Sequence, residues 1–313
     1  MNGPLSPAPV TVGRNGHALL VSGRLYLELA VDQQSRRHDA QAWWHHAGDG
    51  GHLAVAAARL GAAVTLFTQV GSTAHDDEML GTLAGEGIAV DSVIRRATDA
   101  SNSHIKAEFN GTRQPIVLSS PAHCMLVPDD VDAADRLLMD HHWLLADAAL
   151  PVEFLDTLAE RAFLYGLRTV LSLKRPMAER IPRRTWKHID FLVAGISAID
   201  AMVRHGHWPT TALTDPAEVV RMLPALRGVV VLRGAQELRV SDGRETRSMP
   251  VGVRDVVDVR GVCAVAAAAL TVELASGQSF FDAARAAHAA ARFYVAHEGT
   301  RAALPFKKEL KGS

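Results

Sequence analysis

The chain is poor in cysteine, poor in aromatics and almost without net charge. Its two cysteines, Cys124 and Cys263, lie far apart and form no C-x-x-C pair. That excludes a disulfide framework and suits a reducing compartment, so a cytoplasmic location is expected. Lys and Arg number 33 against 34 Asp and Glu, a net charge of −1, so no global positive field draws the protein to nucleic acid or to an anionic membrane. No run reaches the roughly 18 uninterrupted apolar residues of a membrane-spanning helix. The opening MNGPLSPAPVTVGRNGHALL has no long apolar core behind basic residues, so it reads as a flexible tail over residues 1–18 rather than a signal peptide. Fifteen histidines are present, but WWHHAGDGGH and RHGHW have neither the i, i+4 spacing nor the cysteine partners of a zinc site. They read as solvated loop histidines, and no metal is assigned to them. The partner these exclusions leave is a small neutral or anionic molecule.

What the chain has is apolar residues, 48% of the total over 313 positions, enough to bury one large core. Short β-rich runs alternate with longer Ala/Leu-rich runs of helical period, which argues for βαβ units and a mainly parallel sheet. HALLVSGRLYLELAV opens as a strand, and HLAVAAARLGA reads as a helix ending at Gly61. AVTLFTQVG reads as a strand and DDEMLGTLAGEG as a helix. SNSHIKAEFNGTRQPIVL alternates around Asn110-Gly111 and predicts a hairpin. HHWLLADA, RTVLSL, DFLVAG and GVVVLRGAQ follow as strands, with the helix PVEFLDTLAERAFLYG after the first of them. Two helices close the chain, capped by Gly277 and Gly299.

DVVDVRGVCAVAAAAL, residues 255–270, reads as a strand end, a turn around Gly261 and the first turns of an Ala-rich helix. Such a helix start offers unpaired N–H groups to an anion. The turn itself supplies no carboxylate, hydroxyl or imidazole.

Taken together, the order and the local patterns resemble the ribokinase-type (PfkB) carbohydrate kinase family from about Leu20 onward. AGDGGHLAVAAARLGAAVTLFTQVG is similar to the family's Gly-Gly substrate signature, NGTR to the Gly-x-Arg of its lid, and DVRGVCA to its Asp-Thr-x-Gly-Ala-Gly-Asp. The resemblance implies a three-layer α/β/α domain over 19–313 with a small β lid from about 24–46 and 98–120, ATP and Mg2+ as cofactors, and a sugar or sugar phosphate as ligand. It also implies dimerisation through the lid, where Trp43 and Trp44 stand.

By the same resemblance, Gly261, Val262 and Cys263 take the positions of the anion hole, and Ala264 that of the general base. Glu28, Gly48, Asp49, His52 and Arg113 take substrate positions, and Arg233 and Gly234 lie beside the nucleotide. Several positions depart from the pattern. Alanine at 264 accepts no proton, and general-base help is worth about 10²- to 10⁴-fold. The family's Asn-x-x-Glu, which organises magnesium, falls on Gly195 and Ala198 in AGISAID, and hard cations need oxygen ligands. Ser172 replaces an Asp, with Lys174 nearby, and Leu232 and Glu237 stand in the nucleotide motif.

Three readings follow. One is a pseudokinase that binds a sugar, a sugar phosphate or a nucleotide. A second is a working kinase with a substitute base such as His52, Glu28 or His104. The third is other chemistry at Cys263, whose thiol would be activated at a helix N-terminus.

Overall fold

A computed structural model describes residues 18–33, 41–96, 103–109, 112–116, 126–174, 177–253, 255–257, 259–297 and 301–312. Within it, β1 (Ala18–Ser22), α1 (Asp49–Arg59) and β4 (Ala63–Leu66) form the first βαβ unit, with β2 (Tyr26–Gln33) and β3 (Gln41–Ala47) inserted between β1 and α1. A short pair, β5 (Gln69–Val70) and β6 (Ile94–Arg95), brackets α2 (Ala74–Gly85). That helix starts at a capping box in which Thr73 and Asp76 satisfy each other's backbone N–H. The predicted hairpin forms as β7 (Ser103–Phe109) and β8 (Thr112–Ile116), paired antiparallel; its turn at Asn110-Gly111 lies outside the described residues, as do the tail over 1–17, Cys124, Asp258 and the Gly299 cap.

The βα rhythm then resumes. After α3 (Pro128–Asp132) and α4 (Asp135–Met139) come β9 (Trp143–Asp147), α5 (Val152–Leu164), β10 (Arg168–Leu173), β11 (Phe191–Gly195), α6 (Ile196–Arg204), α7 (Ala217–Met222) and β12 (Gly228–Leu232). β13 (Glu237–Ser241) and β14 (Thr246–Pro250) add an antiparallel margin, and α8 (Val262–Ala275) and α9 (Phe280–Val295) follow. The main sheet has the order β14-β13-β12-β11-β10-β9-β1-β4, and its strands from β12 to β4 are parallel. A second sheet, β3-β2-β7-β8, stands apart from it.

Strands of the main sheet are apolar at successive positions because both faces are covered. Leu19 and Val21 enter one core, with α1, α2, α8 and α9, while Leu20 enters the other, with α5, α6 and α7. The helix α8 is buried nearly all round, from Val262 to Val272 without a break. Six of its residues are alanines, and that small cross-section lets it seat between α1, α9 and the sheet.

HALLVSGRLYLELAV is two strands, broken at Gly23–Leu25, where the backbone of Gly23 meets Gly50 of α1 so closely that a side chain there would lie 2.6 Å from the Gly50 Cα. The chain then leaves the main sheet for the small one.

Candidate active site

Between β1 and β9 the chain's progress across the sheet reverses, since β1 leads through α1 to β4 on one side and β9 through α5 to β10 on the other. Open α/β sheets bind ligands outside the carboxyl ends of such a strand pair. At this edge lie Arg24, just after β1, and Asp147, the last residue of β9. Gly48 has φ +104, a conformation that favours glycine, and a side chain there would strike the Arg24 carbonyl. The Gly50 N–H donates to that carbonyl at 3.0 Å. These contacts start α1 against the end of β1 and set Asp49, the first residue of α1, beside Arg24.

The edge carries a charged cluster. Lys174, just after β10, ion-pairs with Asp49 and also donates to the Arg260 carbonyl at 3.1 Å. The Arg24 guanidinium lies 3.6 Å from Asp147 Oδ2 and 3.9 Å from Asp49 Oδ2, too far for a hydrogen bond to either. Asp147 accepts the Ala149 N–H at 2.9 Å and the Arg24 backbone N–H at 3.5 Å. Its register partner on β10 is Ser172, whose buried hydroxyl has no hydrogen-bond partner.

Burial pushes the Asp49 carboxyl up, but Lys174, His52 and Arg24 outweigh it and hold the group below its ordinary value. Asp147 moves the other way. Burial, and then the charge of Asp49, raise it above the ordinary carboxylate value against the pull of Arg24. Burial opposes the charge on Lys174, yet Asp49, Cys263 and Asp147 keep its ammonium above the ordinary lysine value.

Facing this cluster is the start of α8. Gly261 caps it and donates its N–H to the Tyr294 hydroxyl of α9 at 3.0 Å. A side chain at Gly261 would fall on that same hydroxyl. Val262, Cys263 and Ala264 follow in the first turn, all buried, Ala264 completely. Burial lifts the Cys263 thiol to about 11 in spite of Lys174, so at neutral pH it stays protonated. Desolvation of the sulfur, with the charge of Asp49, exceeds what the lysine contributes, which favours Cys263 as a small buried side chain over an activated thiol.

The other expected positions are spread around this edge. His52 is buried in α1 and lines a small pocket with Leu25, Val55, Met79, Leu83 and Arg301. Gly195 caps α6, Ala198 is fully buried, and Asp200 is paired with Arg204. Arg233 and Gly234 form the turn between β12 and β13, where Arg233 lies 3.5 Å from Glu237, a carboxylate that Arg239 also contacts. In the small sheet, backbone register sets Glu28 opposite His45 and beside His104, and Arg113 opposite Glu108. Among the described residues no group of three His, Cys, Asp or Glu side chains is arranged to hold a metal ion.

Residues 19–307 match the profile described as pfkB family carbohydrate kinase. The chain belongs to this family. It is similar to the ribokinase of Bacillus subtilis, at 23% identity over 271 residues that cover 84% of this chain and 86% of the relative. Among solved structures it is similar to the ribokinase of Thermotoga maritima, with TM-score 0.81 and 20% identity over 94% of this chain and 98% of that one. The Arabidopsis thaliana ribokinase complexed with ribose and ATP gives TM-score 0.79 and 19% identity over 94% and 97%. The ribokinase-like α/β fold read from the sequence is therefore the fold of this pfkB family member.

Sequence reading missed Arg24 and Asp147. Each ends an apolar strand with a charge, LLVSGR and WLLAD, and in a parallel sheet that position is the ligand edge. The signal was present and went unused.

Proposed function

We propose that this pfkB family protein binds a sugar, a sugar phosphate or a nucleotide at the β1/β9 edge and transfers phosphoryl groups poorly or not at all. One observation carries the reading. The first turn of α8 presents a fully buried alanine, Ala264, where the family resemblance calls for a proton acceptor, and phosphoryl transfer depends on positioning the nucleophile and neutralising charge. Of the nearest carboxylates, Asp49 is engaged by Lys174. Nor does the donor set suit Mg2+: Gly195 and Ala198 carry no side-chain oxygen and Asp200 faces Arg204. ATP would lie along the turn of Arg233 and Gly234, and two copies would pair through the small sheet. The test is ligand-dependent thermal shift followed by a coupled ADP-release assay with ATP, Mg2+ and a sugar panel. Stabilisation without turnover supports the reading, and robust ADP release overturns it.

A working kinase with a substitute base is the second reading, and Asp147 favours it. This carboxyl stands at the ligand edge, and its raised proton affinity is the property a general base needs. If turnover is found, it should vanish in Asp147→Asn and persist when His52 is replaced by Asn.

A further inference from the structure

The guanidinium of Arg24 faces two carboxylates and hydrogen-bonds to neither. Its Nε is buried without a hydrogen-bond partner, and both of its carboxylate contacts are longer than 3.5 Å. A guanidinium carries five N–H donors in a rigid fork, and leaving them unmade in a partly buried place is unfavourable. Its side chain is 23% exposed and that of Lys174 is 26% exposed, so both cations can be reached from the crevice. Beside them, Ser172 keeps a buried hydroxyl without a partner on the strand face that Asp147 shares. The edge therefore offers a forked cation, an ammonium and a hydroxyl, with Asp49 already engaged by Lys174.

A neutral sugar is poorly matched to such a surface. Its hydroxyls give the Arg24 fork and Lys174 no charge-assisted partner, and charge-assisted bonds are roughly twice as strong as neutral ones. An oxyanion has an easier exchange open to it. It can take the Arg24 fork in two parallel bonds and share Lys174, while Asp49 moves toward the Arg24 nitrogen that it already faces at 3.9 Å.

We propose that Arg24 and Lys174 select an anionic sugar, one bearing a phosphate or a carboxylate, over the neutral sugar. The proposal rests on the binding function proposed above and names its ligand class.

Isothermal titration of the full chain with ribose, ribose 5-phosphate, gluconate and inorganic phosphate tests it, repeated on Arg24→Gln and on Arg24→Lys. The Arg24→Lys variant keeps the charge but loses the fork, so it serves if Arg24→Gln fails to fold. The expected result is that ribose 5-phosphate or gluconate binds about tenfold or more tightly than ribose, and that either substitution weakens the anionic ligand about tenfold and ribose hardly at all. Which of the two binds tells a phosphate from a carboxylate ligand. Equal affinity for ribose and the anionic sugars, or anionic binding indifferent to both Arg24 variants, overturns the proposal and leaves sugar binding standing. Inorganic phosphate binding as tightly as ribose 5-phosphate overturns it too, because the sugar is then not recognised. If none of the four binds, this proposal falls, and titration with ATP and the wider sugar panel decides the binding function.

Discussion

Lys174 and Asp49 join the end of β10 to the first residue of α1 by an ion pair across the carboxyl edge of the sheet. The same ammonium donates to the carbonyl of Arg260 just before α8, so one side chain holds three segments that are distant in sequence. Removing it strands a carboxylate that is only 15% exposed. Lys174→Met should cost about 3 kcal/mol, near the low end for breaking a buried pair, and adding Asp49→Leu should recover most of that. Urea midpoints decide it. A single variant with the wild-type midpoint would show that the pair contributes nothing to stability.

Asp49 and Asp147 should respond to pH with opposite sign. The Asp49 carboxyl is held below its ordinary value of 3.8, so its contribution is full above that value and is lost as pH falls through the lower folded-state value. Asp147 is raised, chiefly by burial, so ionising it costs stability as pH rises from 3.8 through its higher folded-state value. Asp147→Asn should therefore be more stable than wild type at pH 7, with the difference shrinking toward pH 4. Chemical denaturation across that range measures it, and a variant less stable at pH 7 would contradict the sign.

Tyr294 anchors the start of α8. Tyr294→Phe leaves the buried Gly261 N–H without its acceptor and should cost about 1–3 kcal/mol. Gly261→Ala drives a methyl group onto the same hydroxyl and should cost a similar amount, about 1–3 kcal/mol, by overpacking. The double variant should cost less than the sum, because deleting the hydroxyl makes room for the methyl. Strict additivity in melting experiments would mean that the two residues do not meet as described.

Cys263 should alkylate slowly. In a Cys124→Ser background, iodoacetamide at neutral pH should modify the native protein at least about tenfold more slowly than the unfolded chain, with a rate that climbs toward alkaline pH as the thiol nears its value of about 11. Rapid native labelling would restore the activated-thiol reading.

Ala264→Asp, which places a carboxylate at a fully buried position, should leave ADP release at background with ribose, ATP and Mg2+. Gly195 and Ala198 still provide no oxygen for the metal. A strongly active single variant would mean that the metal is organised elsewhere.

Sequence reading reached the parallel sheet, both closing helices and the antiparallel pair β7 and β8, because apolar strands and Ala-rich helices leave periodic marks. It overlooked β13 and β14, since ELRVS and TRSMP are short and TRSMP is an exposed, polar edge strand. The break at Gly23 itself has no local turn signal, because it comes from the approach of Gly50, 27 positions later in the chain. Ala264, Cys263 and Lys174 were visible as letters. Their meaning was not: the pairing of Lys174 with Asp49 joins elements that only the folded sheet brings together, and the protonated state of Cys263 depends on desolvation that sequence does not display.

The packing of α1, residues 49–59, against α8, residues 262–275, also sets a schedule for the chain's birth. The first βα unit leaves the ribosome with one apolar face uncovered, and its cover is synthesised some two hundred residues later. At about 5–20 residues per second the wait is roughly ten to forty seconds. Through that interval α1, whose Leu53, Ala54 and Ala57 are fully buried in the finished protein, lacks part of its cover. Yield of native protein should therefore depend more on chaperone supply and growth temperature than the stability of the completed fold would suggest, because contacts this remote in sequence form late.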